Sequence, residues 1–259
     1  MQPILEDLIT LARQAGEILV SGFGNLHDIR HKGRIDLVTE MDHRSEALLI
    51  SEIQKKFPGH AIITEESGSL SGDADHCWYI DPLDGTMNYA HGVPLYSVSI
   101  AYAEKGQRQL AVVLDPSRPE CFSAQHGQGA WLNGQPIHVS DIRELVDALL
   151  VTGFPYHTNA QHNNLDNFSR FFYEVQAVRR FGSAALDLCY VAAGRVDGYW
   201  QLESKSWDIA AATLIVEQAG GVVTNLQGSK DYFKPPYGSV AANKWLNPKM
   251  RSILGKKSI

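Results

Sequence analysis

The chain is poor in cysteine, with only Cys77, Cys121 and Cys189 in 259 residues. An odd number at wide, irregular spacing fits neither a disulfide framework nor a Cys-based metal site, and reads as reduced, buried thiols in a cytoplasmic protein. Long apolar runs are missing too. Nothing approaches the roughly 18 residues that a membrane-spanning helix needs, so no membrane partner is expected. There is no basic stripe: 23 Lys and Arg are scattered among 29 Asp and Glu, for a net charge of -6. Nucleic acid is therefore not expected as the main partner. The opening MQPILEDLITLARQAGEILV lacks the charged n-region of a signal peptide and is amphipathic instead. Repeats and low-complexity linkers are also lacking. What the chain does have is 44% hydrophobic residues, enough for a sizeable core.

Helical and extended patterns alternate along it. Leu5, Leu8, Ala12, Ala15 and Leu19 recur at helical spacing. A polar, irregular stretch follows and ends in an extended piece at Leu37 to Thr39. TEMD, from Thr39 to Asp42, has the form of a capping box and predicts a helix through Phe57, stopped by Pro58 and Gly59. AIIT and CWYI read as short buried strands. From Ser97 to Val139, strands broken by turn residues predict an antiparallel meander. Beyond about residue 146, the pattern predicts a strand in ALLVTGF, helices over NLDNFSRFFYEVQAV and SAALDLCYVAAGRV, a strand in DGYWQL, and a helix over WDIAAATLIVEQAGG ended by Gly220 and Gly221. Strands in VVTN and SVAAN and a last helix over NPKMRSILGKK complete it. The expected fold class is layered α/β with mixed and antiparallel sheets in two intimate subdomains, 1–145 and 146–259. Trp131, Phe171 and Phe172 are expected in the core. His157 and His162 stand in a polar loop without partner spacing.

Acids gather at strand ends and helix starts, where α/β folds place sites. Glu65 and Glu66 follow AIIT, Asp81 and Asp84 follow CWYI, and Asp42 and Asp208 open helices. Any one of these is ordinary turn or cap chemistry. Brought together, they would repel one another unless a cation neutralised them. Oxygen ligands without His or Cys suit a hard ion such as Mg2+. Backbone N–H groups at Gly85 and Thr86, opening the helix after Asp84, suit a phosphate. Metal, phosphate and water are the equipment of phosphate-ester hydrolysis.

Two segments carry a resemblance. DPLDGTMNY, from Asp81, resembles the first signature of the inositol monophosphatase family, and WDIAAATLIVEQAGG, from Trp207, resembles the second. LVTEMD, ITEES, GQGAWLNGQPI, RRFGSAALDLCYVAAGRVDGYW and VAANKWLNP also look like family segments, so the resemblance covers nearly the whole chain. It implies an α-β-α-β-α sandwich, a homodimer, a requirement for two or three Mg2+ ions, sensitivity to Li+, and a small phosphate-ester substrate. By position it implies Glu65, Asp81, Asp84, Asp208 and the Leu83 carbonyl as metal ligands. Gly85 and Thr86 would hold the phosphate, and Thr86 with Asp42 would orient the attacking water, Glu65 assisting. Leu83, Asp84, Asp208, Gly182, Ser183 and Ala184 would border the substrate.

At one place the sequence departs from the inositol-specific pattern. Gln201 stands where those members have a Glu that grips ring hydroxyls. This leaves fructose 1,6-bisphosphate and other sugar or nucleotide phosphates open as substrates. Lys205 beside a second phosphate is one further option, against a plain solvated charge. The non-enzymatic alternative is an interaction protein on a phosphatase fold, for example with transcription machinery.

Overall fold

The computed structural model describes residues 2–25, 29–31, 37–155 and 164–255. Its first half runs α1 (Leu5–Gly22), β1 (Ile29–His31), β2 (Leu37–Thr39), α2 (Glu40–Lys56), β3 (His60–Thr64), β4 (Gly68–Leu70), β5 (Asp73–Asp84) and α3 (Thr86–Ala90). The meander follows as β6 (Ser97–Glu104), β7 (Gln107–Asp115), β8 (Glu120–Gln125), β9 (Gly129–Leu132) and β10 (Gln135–Pro136). Then come β11 (Leu149–Thr152), α4 (Leu165–Glu174), β12 (Ala177–Arg179), α5 (Ala184–Ala192), β13 (Gly198–Gln201), α6 (Ser206–Gln218), β14 (Val222–Thr224), β15 (Ser239–Ala242) and α7 (Leu246–Leu254).

Apart from the small β1–β2 ribbon, the strands form an eight-stranded sheet, ordered β10-β9-β8-β7-β6-β5-β3-β4, and a five-stranded sheet, ordered β12-β11-β13-β15-β14. The first is antiparallel except where β3 runs parallel to β5. The second has β11 parallel to β12 and β13, with β15 antiparallel to β13.

Helix patterning places the layers. The face of α1 made by Leu8, Leu11, Ala12, Ala15 and Leu19 is buried with Leu49 and Ile53 of α2 against Trp78, Ile80 and Ile100 of the first sheet. α6 has no such single face: Ala210, Ala211, Ala212, Leu214, Ile215 and Val216 are all buried. A helix apolar all round must be covered on all sides. Here α5 and α6 lie between the sheets, packed on Ala111, Val113 and Phe122 of the first and Val151, Tyr199 and Ala241 of the second. Their alanines permit that close approach. The outer face of the second sheet is covered by α4 and α7, through Phe171, Leu246 and Met250 against Leu150, Trp200 and Val240. The result is an α-β-α-β-α sandwich. Among the described residues no helix is long and apolar enough to cross a membrane. All three cysteines are buried and free.

Several expectations need correction. The helix read from 164 to 178 stops at Glu174, because the chain from Ala177 to Arg179 pairs in parallel with Leu149–Val151. Its short apolar run is an edge strand, which periodicity does not distinguish from a helix end. Phe172 is 62% exposed rather than in the core, whereas Phe171 is fully buried; Trp131 is half-buried. Part of the polar stretch before Thr39 is paired, with Ile29–His31 antiparallel to Leu37–Thr39. His157 and His162 lie outside the described residues.

Candidate active site

The DPLDGT turn answers why two acids stand at a strand end. Residues 81 and 84 are an odd number apart, so a regular strand would send them to opposite faces. Pro82 has no N–H to donate to the ladder. Asp81 pairs with Ser99 and Asp84 with Ser97, so three steps on β5 face two on β6, and the register shifts by one residue. That bulge turns both carboxylates into one pocket. Gly85 follows at φ 92°, and a Cβ there would stand 2.9 Å from the Leu95 carbonyl oxygen, so the turn requires glycine.

α3 then starts at Thr86, whose hydroxyl lies 3.0 Å from Asp42 Oδ1 and 3.0 Å from the Leu83 carbonyl oxygen. It carries one proton for these two acceptors. Asp42 is fully buried. Its other oxygen accepts the Thr39 N–H at 2.8 Å and the Thr39 hydroxyl at 2.6 Å, the capping box read from TEMD. Asp208 occupies the equivalent place on α6, accepting the Lys205 N–H at 2.7 Å. In both helices the cap consumes part of the carboxylate and leaves the rest to the site.

Asp84 does something the sequence did not announce. One oxygen accepts the Ala184 N–H at 3.1 Å; the other accepts the Ala185 N–H at 2.9 Å, the Ser183 hydroxyl and the Ser97 hydroxyl at 3.3 Å. A residue of the first sheet thus caps α5, whose N-cap is Ser183. Ser183 is fully buried, so its hydroxyl serves Asp84. Asn88 adds a second tie, donating to the carbonyls of Leu95 and Phe181 at 2.9 and 2.7 Å.

The cavity measures about 290 Å3. Glu65, Asp81, Leu83, Asp84, Gly85 and Thr86 line it from the first half of the chain, and Gly182, Ser183, Ala184, Gln201 and Asp208 from the second. Of the residues expected at the site, only Asp42 stands outside it, one hydrogen bond behind Thr86. Lys205 is exposed and does not line the cavity.

The charges in this pocket are not at ease. Burial raises the Asp81 carboxyl well above the usual range, and Glu65, Asp84 and Asp208 raise it further. Asp208 is raised by burial and then by Glu65. Asp84 is raised by burial, against the hydrogen bonds from Ser183, Ala185 and Ala184 that hold it down. Asp81 and Asp84 are 2% and 8% exposed, so water does little to disperse this repulsion. Among the described residues no three His, Cys, Asp or Glu side chains stand in a ready-made ligating arrangement. The donor set nevertheless fits a hard cation: oxygen only, with several carboxylates facing one space, of which Asp81 and Asp208 are raised by burial and by their acidic neighbours.

Sequence reasoning missed Asp187, Asn88, Met87, Gly153 and Phe154; these and Arg180 line the cavity. Asp187 is buried, its Oδ1 has no hydrogen-bond partner among the described residues, and burial and Asp84 push its carboxyl up. The available signal was an acid inside the otherwise apolar SAALDLCYVA. Arg180 stands over the Phe154 ring, 5.3 Å from its centroid. Neither contact has a signature in spacing.

A five-layer sandwich with an acidic pocket at a strand bulge is a phosphatase fold. The chain belongs to the inositol monophosphatase family, whose family model matches residues 1–256. Nus factor SuhB of Pseudomonas aeruginosa is 44% identical over 243 residues, covering 90% of this chain and 89% of its own. The crystal structure of the extragenic suppressor protein suhB from Bartonella henselae superposes with a TM-score of 0.92 at 38% identity, over 97% of this chain and 98% of its own. An IMPase/NADP phosphatase complexed with Mg2+ and phosphate superposes with a TM-score of 0.84 at 26% identity, over 98% of this chain and 95% of its own.

Proposed function

We propose that this protein is a Mg2+-dependent phosphatase of small phosphate monoesters, inositol monophosphate and related sugar phosphates. The observation that carries the reading is the Thr86 hydroxyl, held between Asp42 and the Leu83 carbonyl at the edge of a pocket where burial and neighbouring acids raise the Asp81 and Asp208 carboxyls. Glu65, Asp81, Asp84, Asp208 and the Leu83 carbonyl would hold the cations. When bound, these would neutralise the carboxylates and the dianionic ester and acidify a water. The chain's own part is orientation. Asp42, locked by Thr39, points the Thr86 oxygen into the pocket as an acceptor for the water's proton. Asp42 alone is a poor base, since a free Asp has a pKa of about 3.9. Gly85 and Thr86 offer backbone N–H groups to the phosphate. Water adds to phosphorus, the ester P–O bond breaks, the leaving oxygen takes up a proton, and an alcohol and inorganic phosphate are released. Inhibition by Li+ and a homodimer belong to the same proposal. A phosphate-release screen over inositol and sugar phosphates, with and without Mg2+, tests it; no turnover of any ester with Mg2+ present would sink it.

A second reading is favoured by one observation. The Pseudomonas aeruginosa relative is named a Nus factor, so an interaction or regulatory role on a phosphatase fold stands beside the enzyme. The full set of pocket carboxylates supports the enzymatic reading.

Gln201 bears on the substrate. Its Oε1 accepts the Tyr199 hydroxyl at 2.7 Å and its Nε2 donates to the Glu203 carbonyl at 2.8 Å. Gly153 packs so closely on this amide that a Cβ there would strike it. One lone pair and one N–H remain for a ligand. In Gln201→Glu, a carboxylate oxygen would face the Glu203 carbonyl, with no proton to offer it, and would turn towards the pocket. A charged acceptor strengthens a hydroxyl contact by about 1 kcal/mol, roughly fivefold. The expected result is a shift of kcat/KM by that factor towards inositol monophosphate relative to fructose 1,6-bisphosphate. An unchanged ranking would remove Gln201 from specificity.

The raised carboxyls also predict a pH dependence. Their folded pKa values lie above the unfolded ones, so metal-free protein gains protons on folding at these sites. The stability they cost is absent at low pH and grows as pH rises from about 4 through the raised values. Mg2+ offsets that cost only where the groups ionise. The increase in Tm that Mg2+ brings should be larger at about pH 8 than at about pH 5. Comparing melts with and without Mg2+ at each pH cancels the other titrating groups. Equal increments at both would count against the cation site.

A further inference from the structure

Glu46 is a buried acid that none of this chemistry uses. It lies four residues after Asp42 and next to Ser45, so the three share one face of α2. All three are buried, Glu46 at 3% exposure. Each grips a different stretch of the pocket wall. Asp42 takes the Thr86 hydroxyl. Ser45 donates to the Pro82 carbonyl, inside the bulge, at 2.9 Å. Glu46 takes the turn after β3.

That third grip is the most extensive. Glu46 Oε1 accepts the Thr64 hydroxyl at 2.7 Å and the N–H groups of Glu66 and Ser67 at 3.0 and 3.1 Å. Its Oε2 accepts the Ser67 hydroxyl at 2.5 Å. These donors lie on both sides of Glu65 in the chain, and Glu65 lines the cavity. A carboxylate that accepts several bonds in a buried setting is a rigid anchor, because charge-assisted bonds are roughly twice as strong as neutral ones. A turn with exposed donors would instead exchange them with water and let Glu65 swing away from Asp81 and Asp208, which it opposes electrostatically.

We propose that Glu46 is a positioning residue that clamps the chain on both sides of Glu65 and so sets the cation affinity of the pocket. This rests on the reading of Glu65 as a cation ligand. α2 then acts as a template, with Asp42, Ser45 and Glu46 each fixing one of the turns that supply the site.

The test is calorimetric titration of Mg2+ into metal-free protein, with amide hydrogen exchange on the same samples. Glu46→Gln keeps the shape and Oε1 but puts an NH2 where Oε2 accepts the Ser67 hydroxyl. It should weaken Mg2+ binding about tenfold and speed exchange at Glu66 and Ser67. Activity should be regained at saturating Mg2+, so kcat moves less than the half-saturating concentration. Ser67→Ala, which removes one hydroxyl donor and leaves Glu46 intact, should act in the same direction by a smaller factor. If Glu46→Gln does not fold, Ser67→Ala decides. A variant with lowered Tm but wild-type Mg2+ affinity would reduce Glu46 to a structural role and overturn the inference. So would weakened affinity with unchanged exchange at Glu66 and Ser67. Wild-type protein that binds no Mg2+ would overturn the cation reading itself, and this inference with it.

Discussion

Asp84→Asn is expected to abolish nearly all turnover while leaving the fold in place. The substitution is almost isosteric, but it removes a negative charge from the pocket the cations would occupy. Lewis-acid stabilisation of phosphoryl transfer is worth several kcal/mol; losing about 4 kcal/mol lowers kcat by roughly a thousandfold. The fold pays a smaller cost. Asp84 accepts four hydrogen bonds, from Ser97, Ser183, Ala184 and Ala185. An Asn amide can keep its oxygen towards one side only, leaving an N–H of α5 or a hydroxyl facing another donor, at about 1–3 kcal/mol. A modest fall in Tm should accompany the loss of turnover. Measuring kcat across a Mg2+ series beside thermal melts separates the two effects. Wild-type turnover at low Mg2+ would show that Asp84 is only the cap of α5.

Thr86→Ala should lower kcat by about 100- to 10,000-fold, the range for a lost proton-handling group, with KM little changed. The hydroxyl acts on the water in the transition state, whereas ground-state phosphate binding is shared with backbone N–H groups. Asp42 keeps its bonds to Thr39 in the variant, so its position survives. Thr86→Ser, which retains the hydroxyl, should recover most of the rate. Steady-state kinetics decide: unchanged kcat with raised KM would move Thr86 from handling the water to binding the phosphate.

Where the chemistry is local, it was legible. The Thr39–Asp42 capping box is a spacing rule, and it formed as read because a helix N-terminus leaves N–H groups that a side chain three residues away can satisfy. The strand-end placement of Asp81 and Asp84 was visible for the same reason. Their common direction was less so. It depends on the single extra residue at Pro82, and a bulge is defined by the partner strand. Ala177–Arg179 escaped reading as a strand because its partner, Leu149–Val151, lies far back in the chain.

The sequence by itself determined the helix-and-strand grammar, the acids at element ends, the glycine at 85 and the amide at 201. Each follows from forces acting within a few residues: caps, turns and periodic burial. Only the tertiary structure decided that Asp84 of one sheet would cap α5 between the layers, that Asp187 would meet the pocket, and that Glu46 would hold the turn of Glu65. Those partners are separated by 18 to about 100 residues. Their contacts exist because apolar burial presses α2 onto the first sheet and α5 and α6 between the two. Packing of that kind is set by the whole core, so no local pattern announces which polar groups it will bring face to face.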